Sequence, residues 1–101
     1  MTRASLKRQS GLLTLHVEGH STKKTAVDVC SAVSILVETL EAALDLLAHL
    51  KPAVQKADGL FHLTVQDSQE SSLLVASTIL GLQMLARLHP DAVGIDPPEF
   101  E

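Results

Sequence analysis

Between Leu13 and Glu18 apolar and polar residues alternate, with Leu13, Leu15 and Val17 on one side and Thr14, His16 and Glu18 on the other. A period of two is that of a strand covered on one face. Ser10-Gly11 ahead of it is a turn signal, so Thr2 to Arg8 is predicted to pair back as the first strand of a hairpin. The period then changes. Val29, Val33, Leu36, Leu40, Leu44 and Leu47 recur at spacings of three and four, which predicts a long amphipathic helix from Asp28 to Leu50, with Thr25 or Asp28 as its cap and Lys51-Pro52 as its stop. A second hairpin follows, Ala53 to Lys56 and Leu60 to Gln66 around Asp58-Gly59, with Phe61, Leu63 and Val65 alternating with His62, Thr64 and Gln66. Asp67 and Glu70 have the spacing of a capping box for a second helix, from about Ser68 to Leu88, which His89-Pro90 stops. Ala92 to Ile95 reads as a short edge strand, and Asp96-Pro97-Pro98 as the start of a frayed tail.

This order of elements predicts an α+β two-layer sandwich: a mainly antiparallel sheet of four to five strands with two long helices on one face. Residues 1–96 make one domain in this reading, and 97–101 a disordered tail. The second helix is apolar on two sides. Leu74, Leu82 and Leu85 form one stripe, and Leu73, Leu80, Met84 and Leu88 form another, interrupted by Ser77 and Arg87. A sheet covers only one stripe, so the other is expected to meet the first helix or a second copy of the chain, as in a homodimer.

Composition narrows the function classes. A chain of 101 residues, 46% of them hydrophobic, builds one modest core. With no Trp or Tyr, and only Phe61 and Phe100 as aromatics, base-stacking platforms are missing. The net charge of −4 removes the counterion-release drive toward a phosphate backbone, so direct nucleic-acid binding is not expected. A lone cysteine cannot staple its own chain and fits a reducing compartment, the cytoplasm. No signal-peptide pattern follows Arg3, Lys7 and Arg8, and no run of apolar residues is expected to span a membrane.

That cysteine, Cys30, carries the candidate chemistry. Counting about 100° per residue from Val29, it lies a quarter turn off the centre of the apolar stripe, where its sulfur stays reachable. A thiol near a helix N-terminus meets the positive end of the macrodipole, which favours thiolate, and the unpaired amides there suit an oxyanion. His20 follows Gly19 just beyond the strand ending at Glu18, and is positioned to serve as its base if the strand end lies beside the helix start. The loop between them, Ser21 to Val27, brings Ser21, Lys23 and Lys24 as candidate substrate contacts. The other histidines have structural explanations: His16 and His62 on polar strand faces, His49 and His89 near helix C-termini. One cysteine among scattered histidines lacks the ligand spacing of a zinc site, so no metal is expected.

Val-Glu-Gly-His at 17 to 20, a loop, and then Asp28-Val29-Cys30-Ser31-Ala32-Val33-Ser34 entering a long helix resemble the bacterial ribosomal-processing cysteine proteases of the Prp family. The likeness in element order extends over nearly the whole chain, although the Ser21 to Val27 loop contains no glycine. The resemblance implies a cytoplasmic homodimer that removes the N-terminal extension of large-subunit ribosomal protein twenty-seven without a cofactor. It also implies Cys30 as nucleophile, His20 as general base and acid, and Ser34, one turn after Cys30, as an auxiliary polar group. The alternative is a catalytically inactive dimeric interaction module of ribosome assembly in which Cys30 is only packed.

Overall fold

The computed structural model describes residues 1–19 and 26–100. Eight elements follow one another: β1 (Thr2–Gln9), β2 (Leu12–Glu18), α1 (Ala26–Leu46), β3 (Ala53–Ala57), β4 (Leu60–Gln66), α2 (Gln69–Leu88), β5 (Val93–Ile95) and β6 (Glu99–Phe100). The first hairpin turns on Ser10 and Gly11, both at positive φ, 56° and 78°, the backbone that a tight two-residue connection demands.

The sheet order is β3-β4-β2-β1-β5, with β6 also pairing to β1. The expected antiparallel core is present in β1–β2, β2–β4 and β3–β4, while β5 and β6 add to β1 in parallel. Alternation decides which face is covered. Ala4, Leu13, Leu15, Val17, Phe61, Leu63 and Val65 point inward and are almost fully buried against the helices, whereas Ser5, Thr14, His16, His62 and Thr64 occupy the opposite face. Each inward Leu or Val contributes about 1.5–3 kcal/mol through removal of its apolar surface from water. Both helices lie over the covered face and meet each other, closing one core.

α1 buries Val29, Val33, Val37, Leu40 and Leu44. Leu36 is half-buried against α2, and Leu47 is exposed, because the helix stops at Leu46 rather than reaching Leu50. The stop is built from the backbone. His49 adopts a φ of 57°, and the Leu50 amide donates to the Leu44 carbonyl at 2.8 Å, satisfying a terminal acceptor. His49 thus occupies the left-handed position of the helix end rather than its last turn.

The N-cap of α2 is Ser68, not Asp67. Ser68 Oγ accepts from the Ser71 amide at 3.1 Å, and Ser71 Oγ accepts from the Ser68 amide at 2.8 Å. This reciprocal pair replaces the expected Asp67–Glu70 box, and leaves Asp67 free to set its Oδ2 3.0 Å from Arg8 Nε, an ion pair without hydrogen-bond alignment. α2 also corrects the expectation that no segment reaches membrane-spanning character. Its 20 residues, with a window of mean hydropathy 1.4, meet that standard by length and composition alone. Here Val75, Thr78 and Leu82 are buried inside the protein, and Leu73, Leu80, Met84 and Leu88 stand exposed, so the second stripe does not meet α1. The segment expected to fray after Asp96 carries a strand instead: Glu99 and Phe100 pair with Lys7 and Arg8, and the Arg8 guanidinium sits 5.1 Å from the Phe100 ring centroid.

Candidate active site

Cys30 is the fifth residue of α1 and is half-buried. The four amides that a helix leaves unpaired therefore lie in the turn that precedes it. Its position follows from the wheel: Val29 beside it is buried at 2% exposure, and one residue of rotation brings the thiol to the edge of the stripe. There it opens into a cleft of about 350 Å³, floored by Val17, Val33, Val37 and Phe61.

Gly19 lines the same cleft. Its amide donates to the Gly59 carbonyl at 2.9 Å, and its carbonyl accepts from Thr2 Oγ1 at 3.5 Å, so the end of β2 is tied both to the β3–β4 turn and to β1. Its φ is 108°, and a Cβ added there would overlap the Met1 carbonyl oxygen. Only glycine fits. The backbone therefore enters His20 from a fixed point on the cleft wall. His20 itself, with Ser21, Lys23 and Lys24, lies outside the described residues.

Ser34 lies on the same wall, one turn beyond Cys30, and is exposed. The structure thus brings Cys30, Ser34 and the residue before His20 to one cavity. It adds groups that pattern reading missed: Glu38, one further turn along α1, and Lys56 and Asp58 from the β3–β4 hairpin. Lys56 Nζ lies 2.6 Å from Glu41 Oε1 and 3.8 Å from Glu38 Oε1. The hydrogen bond to Glu41 raises the lysine pKa above its ordinary range, with the charges of Glu41 and Glu38 adding to it. The i, i+4 spacing of Cys30, Ser34 and Glu38 is a signal that was available in the sequence. The approach of Lys56 depends on β3 lying beside α1, which sequence periodicity does not encode. Among the described residues, no group of three or more His, Cys, Asp or Glu gathers as a metal centre.

The arrangement offers a reachable thiol beside an apolar floor suited to peptide side chains, with the unpaired amides of α1 one turn ahead of the cysteine. A family model described as cysteine protease Prp matches residues 1–94. Among solved structures, SMU.848 from Streptococcus mutans is 26% identical with a TM-score of 0.82, over 100% of this chain and 96% of that one. The essential ribosomal processing protease Prp from S. aureus, in complex with a covalently linked product peptide, is 18% identical with a TM-score of 0.81, over 100% of both chains. The same protease with a substrate peptide is 14% identical with a TM-score of 0.77, again over 100% of both. No curated protein matches the chain.

Proposed function

The chain belongs to the cysteine protease Prp family, and on that premise we propose that it removes the N-terminal extension of large-subunit ribosomal protein twenty-seven in the cytoplasm. The observation that carries this reading is the half-exposed Cys30 in a cleft that Gly19, the residue joined to His20, also lines. His20 takes the Cys30 proton, and the thiolate attacks the scissile carbonyl carbon. A C–S bond forms as the carbonyl becomes an oxyanion, held by the leading amides of α1. Collapse breaks the C–N bond, and His20 returns its proton to the departing amine. Water, deprotonated by His20, then attacks the thioester and releases the acid, with the proton restored to sulfur. Neither a metal nor an organic cofactor enters these steps.

Ser34 tunes the sulfur from the same helix face, and Ser21, Lys23 and Lys24 contact the substrate in this reading. The test is intact-mass spectrometry of the extended ribosomal protein after incubation with this protein. Loss of a single N-terminal peptide is expected. An unchanged substrate mass, in a preparation with native thermal unfolding, overturns the assignment.

The working form in this proposal is a homodimer. Leu73, Leu80, Met84 and Leu88 are 61–72% exposed along one side of α2, an apolar stripe, interrupted by Ser77 and Arg87, of a kind that marks association surfaces. A second copy covers it with the same stripe across a two-fold axis. Sedimentation at micromolar concentration is expected to show a dimer for the native chain and a folded monomer for L80K/M84K. A monomeric native chain, or an undisturbed dimer in the double variant, removes the stripe as the interface.

A further inference from the structure

On the sheet face turned away from the helices, β2 and β4 place two histidines directly opposite each other. His16 pairs with His62 in the antiparallel register, and their Nδ1 atoms lie 2.9 Å apart with the rings at 69°. Glu18, two residues along β2 on the same face, sets Oε2 3.3 Å from His16 Nε2. In the tautomer that turns an Nε2 proton toward Glu18, His16 presents Nδ1 as a lone pair to an Nδ1–H of His62. A carboxylate beside one ring nitrogen also orients histidines that ligate metals.

We propose that His16 and His62 form a bidentate site for a divalent transition metal, with Cu²⁺ the best match. When His62 moves its proton to Nε2, both Nδ1 lone pairs become available to one ion. A turn of each ring re-aims the two nitrogens from each other to a shared ion, and imidazole donors place Cu²⁺ at the top of the affinity order. Both rings are half-buried, and the pocket beside them is also lined by Ser5, Thr14, Glu99, Asp96 and the cationic Lys7. The site lies on the opposite layer from the apolar stripe of α2, so association through that stripe leaves it open.

Two consequences follow from the geometry. The ion clips β2 to β4 across the centre of the sheet. Through His16 it also holds Glu18, which lines the Cys30 cleft, so the two faces of the sheet share a residue.

Cu²⁺ is titrated calorimetrically into the Cys30→Ser protein, which removes the thiol as a competing ligand. One ion per chain is expected, with affinity falling at least about ten-fold in His16→Gln and in His62→Gln and holding steady in His20→Gln and His49→Gln. Electron paramagnetic resonance of the loaded protein is expected to show two imidazole nitrogens, and the thermal midpoint to rise with Cu²⁺ only where both histidines are present. Copper affinity that survives both His16→Gln and His62→Gln overturns the proposal. So does the absence of binding by a chain that unfolds cooperatively at its native temperature.

Discussion

Cys30→Ala is expected to cost cleavage at least about 10³-fold while leaving the fold in place, because in the proposed mechanism it removes the covalent nucleophile and leaves only binding and oxyanion stabilisation to act. The fold tolerates the change for a visible reason. Cys30 sits at the margin of the α1 stripe, and Val29 and Val33, at 2% and 7% exposure, supply the burial on either side. Losing one half-exposed sulfur is worth within about 1 kcal/mol of stability. The pair of readouts is a rate on a peptide spanning the cut and a thermal unfolding curve. A variant that unfolds like the native chain and still cleaves within tenfold of its rate would remove Cys30 from the chemistry.

Gly19→Ala is expected to damage both properties together. A side chain there meets two obstacles: a φ of 108°, which L-residues rarely adopt, and the Met1 carbonyl oxygen in the space the Cβ would fill. The backbone must rotate away, and its bonds to Gly59 and Thr2 go with it. Strain of this kind, with the lost hydrogen bonds, destabilises by about 3 kcal/mol or more. In a domain of this size that lowers the unfolding midpoint by well over ten degrees, at about 4–8 °C per kcal/mol. His20 is carried on the displaced backbone, so cleavage at a temperature where the variant remains folded is expected to fall as well. An unchanged midpoint would show that β2 ends in some other conformation. A lowered midpoint with full cleavage by the folded fraction would separate the strand end from the base proposed at His20.

Much of this molecule was legible in the sequence, and the parts that were not share a physical cause. Local periodicity places Leu13–Glu18 and Leu60–Gln66 as strands and the Cys30 helix as amphipathic, because burial on one face is written in consecutive residues. The same reading puts Cys30 and Ser34 on one helix face at the edge of the core. It does not say which strands become neighbours. β2 joins β4 across the long α1 excursion, and only that pairing brings His16 to His62 and the β3–β4 turn to Gly19. The capping box was misassigned for a related reason. Asp67-x-x-Glu70 and Ser68-x-x-Ser71 are one residue apart, and the Arg8 side chain, from a distant strand, engages Asp67 and leaves the cap to Ser68. Glu99 and Phe100 looked like a loose tail because their partners are on β1, more than ninety positions earlier.

One small residue links the two sides of the helical layer. Gly81 of α2 faces Leu36 of α1 so closely that a methyl group in its place would come within 2.7 Å of the leucine Cδ2. The absent methyl lets α2 approach α1 closely at Leu36, six residues along the helix from Cys30, and a side chain at Gly81 would have to displace the leucine tip.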